Sequence, residues 1–276
     1  MVIKVLHIGL GPIGAAVVRQ VAARKGMQIV GAVDIDPAKV GRDLGAVCGM
    51  RRKLGVAVSD DVTKAIKASR PDIAVICTDA SLKNAVAQFD GVLKLKVAIV
   101  STTPELVYPL PANRVMAKKI DGLARRARVS VLGTGVNPGF VMDALPIALT
   151  AACSKVDAIE VTRVESAPRD EAALGLAESV AMIADAMGWK LDTNDAGVGS
   201  LKGKVRVRLR QEFDAAAEPR TTVQITGAPS ITSVVTGIHG DATTAAIVVN
   251  SIPKVLTAQP GLRTMKDMLL PSYFAG

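Results

Sequence analysis

The first half of the chain alternates between two patterns of hydrophobic and polar residues. Short, nearly continuous apolar runs that end in turn residues are typical of strands buried on both faces, and apolar residues three and four apart are typical of helices. The strand pattern covers residues 2–11, 27–36, 71–79, 97–103 and 129–135. The helix pattern covers residues 12–26, 61–70, 81–96 and 112–128. Strands that alternate with helices in this way predict a doubly wound parallel sheet over residues 1–135.

After residue 139 the pattern changes to strict alternation, over residues 158–166, 203–215 and 219–228. Alternation is typical of strands with one covered face and predicts a mostly antiparallel sheet. Helical spacing returns over 171–189 and over 241–261, where the last helix should end near Pro260. We therefore expect an α/β protein whose parallel-sheet domain is followed by a mostly antiparallel α+β domain over 136–238. This second domain should serve substrate binding and dimerisation, and residues 239–276 should return to the first domain as a helix and tail.

The segment "KVRVRLRQEF" (204–213) shows how the second sheet should be used. Val205, Val207 and Leu209 should share one face and pack against helix 171–189. The opposite face carries Lys204 and three arginines, and it is left open to solvent or to a second copy of the chain. We expect a homodimer.

Composition narrows the class of protein. The chain has 276 residues, 49% of them hydrophobic, and a mean hydropathy of +0.33, which excludes a disordered protein. No apolar run reaches the roughly 20 residues of a membrane span, and the N-terminus runs into a glycine turn instead of a signal-peptide cleavage site. Three scattered cysteines without metal-ligand spacing indicate buried thiols in a reducing compartment, so we expect a cytoplasmic protein.

The net charge of +9 raises the question of a nucleic-acid partner. Aromatic residues make up only 3% of the chain, so stacking platforms for bases are scarce. The basic residues lie mostly on predicted helix surfaces, as in "AKKIDGLARRAR" (117–128). We expect no nucleic-acid partner and interpret the charge as a solvated surface that attracts anionic cofactors.

The segment "GLGPIG" (9–14) fits the pattern G-x-G-x-x-G and lies between a predicted strand and a predicted helix. In that context Gly9 makes the tight turn, Gly11 lets a pyrophosphate approach the backbone, and Gly14 lets helix and strand pack closely. The helix N-terminus adds amide donors and partial positive charge, with Pro12 and Ile13 in its first turn. This arrangement predicts a Rossmann dinucleotide site. The alternative is a glycine turn without a ligand.

Asp34 lies at the end of the second predicted strand, 20 residues after Gly14. A carboxylate there accepts hydrogen bonds from the ribose hydroxyls of NAD. Lys39 and Arg42 lie close by and could meet the 2′-phosphate of NADP. We expect NAD or NADP as cofactor, with NAD favoured by Asp34. The alternative role for Asp34 is a helix cap before "PAKVGRD".

Ligands of doubly wound sheets lie beyond the carboxyl ends of the strands. Three segments there are rich in small polar residues: "CTDAS" (77–81), "STTPELVYP" (101–109) and "GTGVNPGF" (133–140). We expect Thr78, Asp79, Thr102 and Asn137 to line the cofactor cleft, with the Asn137 amide on the nicotinamide carboxamide. The alternative for the third segment is a domain-boundary turn that contacts no ligand.

Glu105 is the best candidate for acid–base chemistry. Its spacing from Thr102 also fits a capping box, which would make it a helix cap. Pro109 and Pro111 argue against a helix of any length here. A carboxylate in a short rigid loop, walled by apolar residues 106–108, would have a raised pKa suited to proton transfer. Both roles stay open at this point.

The two histidines offer less chemistry. His7 lies inside the first predicted strand and is expected to be a packed core residue. His239 precedes the last helix, where Asp241 is the expected N-cap, and it could either reach the cleft or have a structural role. The sequence holds no Ser–His–Asp or Cys–His pairing that we would defend, and we expect no metal site.

Several of these segments carry a resemblance to a known family: "GLGPIG…GAVDIDPAKVGRDLG", "STTPELVYP", "GTGVNPGFVMDALP", "LAESVAMIADAMGW" and "GIHGDATTAAIVVNSIPKVL…PGL". The chain resembles the 2,4-diaminopentanoate dehydrogenase and native amine dehydrogenase family, which is related in fold to dihydrodipicolinate reductase. The paired-histidine and lysine motif of that reductase is absent. The resemblance implies NAD(P)-dependent oxidative deamination of an amine, or reductive amination of a ketone or aldehyde with ammonia. It also implies that Glu105 handles the amine.

Two departures from the family affect the substrate pocket. Many relatives carry a second acidic residue where this chain has Pro104. Relatives are also longer, and the shortfall falls between Ala167 and Leu201. We expect Tyr108, Asn137 and Phe140 to contact the substrate. The alternatives are another dehydrogenase or imine reductase of the same architecture, acting on an amino-acid semialdehyde or a dihydrodipicolinate-like compound, or a non-catalytic nicotinamide-binding regulator.

Overall fold

The computed structural model describes residues 2–79, 81–166, 175–195 and 197–276. The strands are β1 (Ile3–Ile8), β2 (Met27–Val33), β3 (Val58–Ser59), β4 (Ile73–Ile76), β5 (Ala98–Ser101), β6 (Ser130–Gly133), β7 (Lys155–Glu165), β8 (Thr193–Asp195), β9 (Val198–Leu201), β10 (Lys204–Phe213), β11 (Arg220–Ala228), β12 (Ile231–Thr236) and β13 (Gly261–Arg263). The helices are α1 (Pro12–Ala23), α2 (Leu44–Val47), α3 (Val62–Ser69), α4 (Leu82–Lys94), α5 (Pro104–Val107), α6 (Arg114–Ala127), α7 (Ala144–Leu149), α8 (Leu176–Ala186) and α9 (Gly240–Thr257).

The first sheet is parallel, with strand order β13-β6-β5-β4-β1-β2-β3. Its strands read as continuous apolar runs because successive residues enter opposite layers. Val5 packs with α1 and α9 on one side, whereas Leu6 packs with α3, α4 and α6 on the other. The predicted doubly wound parallel sheet is therefore confirmed.

The second sheet has the order β12-β11-β7-β10-β9-β8. Its neighbouring strands are antiparallel except β7 and β10, which run parallel. One face packs against α8, where Val207 and Leu209 share an apolar cluster with Val180 and Ile183. The expected burial of Val205 is wrong, because its side chain is 36% exposed. The pairing of β10 with β9 shifts register between Val205 and Val207, which breaks the alternation of faces at that point.

The last helix differs from its prediction at both ends. Instead of covering 241–261, α9 ends at Thr257. The residues after Pro260, which has no amide to continue a helix, form β13 beside β6 in the first sheet. His239, not Asp241, is the N-cap, and Asp241 lies in the first turn. Helix α9 packs against α1, so the end of the chain joins the first sheet; the three domain boundaries themselves stay predictions.

The predicted helix over 171–189 lies partly outside the described residues, and its described part is α8. No helix in the described ranges is long and apolar enough to cross a bilayer.

The junction between the domains is organised by one buried carboxylate. Asp143 is fully buried and accepts hydrogen bonds from Gly139 N at 2.8 Å, Ala144 N at 2.6 Å and Ser179 Oγ at 2.8 Å. Burial raises the pKa of Asp143, and these three bonds oppose that rise. The carboxylate thus ties the turn after the cis Asn137–Pro138 peptide to α7 and to α8.

We expect Asp143→Ala to lower the free energy of unfolding by at least about 2 kcal/mol, because it leaves two buried backbone donors without an acceptor. Chemical denaturation monitored by circular dichroism measures this loss. Asp157→Ala is the matched control, since its half-exposed carboxylate makes only an ion pair with Lys155. That control should stay within about 0.5 kcal/mol of the unchanged protein. Equal effects of the two substitutions would contradict the role assigned to Asp143.

Candidate functional site

A continuous cleft runs along the carboxyl ends of the first sheet and into the junction with the second. It consists of three adjoining cavities. The first, of about 420 Å³, lies between the ends of β1, β2 and β4. The second shares Gly11 and Thr78 with the first. The third lies between the two domains and shares Ile13 and Thr102 with the second. A ligand long enough to span all three would pass from the glycine loop to the domain junction.

The glycine loop leaves space where a ligand backbone would approach. A Cβ atom at Gly11 would have no other heavy atom within 4 Å, although this residue lines both the first and the second cavity. At Gly14 a Cβ would overlap the carbonyl oxygen of Gly9 and lie 2.9 Å from His7 Nε2, so the close packing of α1 requires glycine there. Helix α1 begins without a side-chain cap or an acidic residue in its first turn. The amides and partial positive charge of its first turn therefore lie at the wall of the cleft.

Asp34 lies against this loop and caps no helix. Its Oδ2 accepts from Leu10 N at 2.7 Å and from Lys39 Nζ at 3.2 Å, while Oδ1 accepts from Asp36 N at 2.9 Å. Burial acts to raise the pKa of Asp34, but these hydrogen bonds and the Lys39 charge outweigh it, so the pKa lies below the usual value. Asp34 is ionised at neutral pH and is paired with Lys39, whose ammonium also lies 3.5 Å from the Asp36 carboxylate.

All ten residues expected to bind the cofactor lie on the walls of the cleft. They are Gly9, Gly11, Pro12, Ile13, Gly14, Asp34, Thr78, Asp79, Thr102 and Asn137. Asp79 also stabilises the start of α4, because its carboxylate accepts hydrogen bonds from Ser81 N and Asn84 Nδ2. That these residues bind a cofactor stays a prediction.

Asn137 presents an unsatisfied acceptor to the third cavity. Its Nδ2 donates to Gln211 Oε1 at 3.4 Å, but its buried Oδ1 has no hydrogen-bond partner among the described residues. Buried polar atoms in proteins are nearly always hydrogen-bonded. A lone buried oxygen in a cavity wall therefore indicates a ligand that donates a hydrogen bond.

Glu105 lies neither in a loop nor in a capping box with Thr102. Residues 104–107 form the single turn α5, which starts from Thr103 without a side-chain cap. Glu105 Oε2 instead accepts from Leu82 N at 2.7 Å, in the first turn of α4. The described walls of the three cavities include Pro104 but not Glu105. Glu105 is the next residue along the chain after this cleft-lining proline.

A second carboxylate, Glu178 on α8, lies near Glu105. Its side chain is 8% exposed, and its pKa is raised by burial and by the charge of Glu105. We did not predict this residue. A signal was present, since Glu178 is four positions before the fully buried Met182 on the core-facing side of an amphipathic helix.

The floor of the third cavity holds a buried ion pair that sequence analysis also missed. The inward row of β7 runs Ile159, Val161, Arg163 and Glu165, so it changes from apolar to charged while keeping the same face. Arg163 is 2% exposed and pairs with Glu165, its Nε lying 2.8 Å from Glu165 Oε1. A charged pair at inward positions of an alternating strand was the available signal.

The expected substrate contacts Tyr108 and Phe140 lie beside the cleft, and neither is among the described residues of its walls. Tyr108 is hydrogen-bonded to Asp185, and burial together with that carboxylate raises the pKa of Tyr108 to about 12. Phe140 packs between two apolar clusters. The structure therefore does not bring these two side chains to the third cavity.

His7 is a buried core residue whose Nε2 lies 3.0 Å from Gly9 O. Burial lowers the pKa of His7 to about 4, so it is neutral at physiological pH. The described residues hold no group of three or more His, Cys, Asp or Glu side chains that could bind a metal ion.

Comparison with known proteins finds relatives for both parts of the chain. A sequence profile of the 2,4-diaminopentanoate dehydrogenase C-terminal domain matches residues 194–276, and one of the dihydrodipicolinate reductase N-terminus matches residues 3–107. The chain is 29% identical to 2,4-diaminopentanoate dehydrogenase of Acetoanaerobium sticklandii, over 99% of this chain and 95% of the relative. That alignment spans 346 positions, so the relative carries segments that these 276 residues lack. An amine dehydrogenase of Streptomyces virginiae is 31% identical over 55% of this chain and 42% of its own length.

Solved structures agree on the fold. The amine dehydrogenase from Mycobacterium smegmatis superposes with a TM-score of 0.84 at 22% identity, covering 99% of this chain and 98% of that one. A dipicolinate-bound dihydrodipicolinate reductase from Paenisporosarcina sp. TG-14 has a TM-score of 0.67 at 15% identity, covering 98% of this chain and 100% of that one. The chain is therefore similar along nearly its whole length to a 2,4-diaminopentanoate dehydrogenase and to an amine dehydrogenase of known structure, and its two ends match the profiles of two related dehydrogenase and reductase domains.

Proposed function

We propose that this chain oxidatively deaminates a primary amine with NAD or NADP, and in reverse aminates a ketone or aldehyde with ammonia. The observation that carries the proposal is the continuity of the cleft. The cavity at the glycine loop leads, through walls shared at Ile13 and Thr102, to a polar cavity at the domain junction. A dinucleotide would lie along the first two cavities and a small amine would occupy the third.

The residues of the cleft fit a nicotinamide dinucleotide. Open space at Gly11 and the free N-terminus of α1 suit the pyrophosphate, and Asp34 suits the ribose hydroxyls. The unsatisfied Asn137 Oδ1 suits the amide hydrogens of a carboxamide. When bound, nicotinamide accepts a hydride from the amine carbon or returns one to it.

Glu105 is our candidate for the base that accepts the proton of the substrate ammonium. An amine carbon releases hydride only when its nitrogen is neutral, so the ammonium must first lose a proton to a base. The resulting iminium adds water and releases ammonium, which leaves the ketone or aldehyde. Glu105 lies one residue beyond the cleft-lining Pro104, and its bond to Leu82 N would have to rearrange for it to reach the amine. Catalytic hydrogen bonds often form only in the complex with substrate.

The first prediction tests the reaction and its cofactor. When amines are added together with NAD, reduced nicotinamide should form, which is measured by its absorbance. In calorimetric titration, NAD should bind at least as well as NADP. The reason is that ionised Asp34 repels a 2′-phosphate and accepts from free ribose hydroxyls.

Absence of amine-dependent reduction with either cofactor, across a panel of primary amines, would contradict the proposed reaction. A clear preference for NADP would instead mean that Lys39, which already contacts Asp34, outweighs the carboxylate. Lys39→Met separates the two effects, because it should weaken NADP binding more than NAD binding.

The second prediction concerns Glu105. Glu105→Gln keeps the shape of the side chain and removes the base, so kcat for amine oxidation should fall about 10² to 10⁴-fold. Cofactor affinity should barely change, because Glu105 is not among the described residues that line the two cavities at the glycine loop. If Glu105 serves only as a cap for α4, the variant should lose about 1 kcal/mol of stability and keep its turnover.

Steady-state kinetics and a melting curve on the same Glu105→Gln sample distinguish these outcomes. Glu218→Gln, at an exposed position in the loop between β10 and β11, is the matched control and should change neither quantity. An unchanged kcat with a lowered melting temperature would assign Glu105 to capping.

A homodimer and a cytoplasmic location belong to the same proposal. The three cysteines are unpaired, as suits a reducing compartment. The face of the second sheet opposite α8 carries exposed side chains on β7, β10 and β12. There Glu160 lies beside Arg208 in register, and Val234 on β12 is 58% exposed. A face with both charges and an exposed apolar residue can pair with its own copy around a two-fold axis.

We expect light scattering at micromolar concentration to give the mass of a dimer. Val234→Asp should shift the protein toward the monomer, because it places a charge on the exposed face of the edge strand β12. Val115→Asp is the control, since this 82% exposed valine lies on α6 of the first domain. A monomeric unmodified protein, or equal behaviour of the two variants, would contradict the dimer.

A further inference from the structure

The first cavity extends along the sheet edge from the glycine loop to the end of β3. Strands β1, β2 and β3 are neighbours in that order, and Asp34 N donates to Ser59 O at 3.0 Å where β2 and β3 end. The glycine loop, Asp34 and Asp60 follow these three strands in turn, and all of them line the cavity. Neighbouring strands are about 5 Å apart. A group bound at Asp60 is therefore one strand spacing further from the glycine loop than a group bound at Asp34.

The carboxylates in the walls of this cavity are used by the protein to different degrees. Asp34 accepts three hydrogen bonds and Asp79 accepts two. The exposed Asp60 carboxylate has no hydrogen-bond or ion-pair partner among the described residues. Other groups hold its turn, because Asp61 N donates to Ser59 Oγ at 3.0 Å and the Asp61 side chain caps α3. Asp60 therefore brings an acceptor to the cavity that the fold of the chain does not use.

The same end of the cavity has an apolar wall. Ile35 and Val62 line it, and Ile35 is 89% exposed, the highest value among the large apolar residues of the described ranges. Covering this side chain with a flat ring would remove apolar surface from water, which stabilises a complex. An apolar face beside a free acceptor suits an aromatic ring that carries N–H donors on its edge.

We propose that Asp60 selects the adenine base of the cofactor by accepting a hydrogen bond from its exocyclic amino group, while Ile35 covers one face of the ring. This rests on the proposed use of NAD or NADP, whose adenine ribose lies at Asp34. Hypoxanthine has a keto oxygen in place of the amino group, and that oxygen only accepts, as a carboxylate does. The hypoxanthine analogue of NAD is therefore disfavoured, because two acceptors face each other.

Calorimetric titration of the unmodified protein with NAD and with nicotinamide hypoxanthine dinucleotide measures this preference without turnover. We expect the Kd for NAD to be lower by about tenfold, as a charge-assisted hydrogen bond provides. The two compounds carry the same charge, so the ratio of their Kd values does not depend on the general attraction of the basic protein for anions. Titration with AMP and IMP measures the same preference without the nicotinamide half.

Asp60→Asn keeps the shape of the side chain and adds an amide nitrogen that can donate to the keto oxygen. The preference should fall to about twofold or less, mainly because the hypoxanthine analogue binds more tightly. Ile35→Ser should weaken both dinucleotides and keep their ratio, since it removes apolar surface and leaves the acceptor. Asp195→Asn, at an exposed position of β8 in the second sheet, is the matched control and should change neither affinity.

The outcomes separate this inference from the proposed function. If the unmodified protein binds NAD and the hypoxanthine analogue equally well, the role of Asp60 is overturned and the cofactor assignment stands. Retention of the preference in Asp60→Asn would overturn it as well. If neither dinucleotide binds but AMP binds more tightly than IMP, and Asp60→Asn removes that difference, the proposed reaction is wrong and the role of Asp60 holds. If none of the four compounds binds, both are wrong.

Discussion

The three hydrogen bonds to the Asp143 carboxylate determine how the two domains meet. They join the turn at Gly139, the start of α7 and the middle of α8. Because Asn137 lies just before this turn, its position in the cleft depends on the same carboxylate. The third cavity is lined by residues from both parts of the chain, among them Ile13 and Gln211. A buried acid with three donors is a rigid connection, since each donor would lose its partner if the junction opened.

The carboxylates around the cleft have different partners, and the partners indicate different roles. Asp34 is held by backbone amides and by Lys39, so its charge is stabilised where a ribose would bind. Glu105 accepts a hydrogen bond from the first turn of α4 and lies near the buried Glu178. Glu165 is paired with the buried Arg163 in the wall of the third cavity.

This distribution explains how a cleft with several acidic groups can hold a dinucleotide that is itself anionic. The acids are compensated by a lysine, a helix N-terminus and an arginine, and the glycine loop carries no acidic residue in the first turn of α1. The N-terminus of α1 therefore contributes partial positive charge at the glycine loop, whereas Glu165, Gln211 and Asn137 bring hydrogen-bond acceptors to the third cavity. The two ends of the cleft suit ligands of opposite charge.

Local patterns in the sequence determined the layers of the fold and the walls of the cofactor cleft. Continuous apolar runs specify strands that are buried on both faces. A glycine loop between such a strand and a helix is typical of a dinucleotide site, so the ten residues of the cleft walls could be found from their positions in the sequence. Tertiary structure decided the contacts between distant residues, which the periodicity of the sequence does not predict. Glu105 meets Leu82, Arg163 meets Thr221 and Ile238, and β13 joins β6, each across a long separation in the chain. A side chain chooses among such partners only when strands and helices have packed, because hydrogen bonds act over about 3 Å and carry no signal along the sequence.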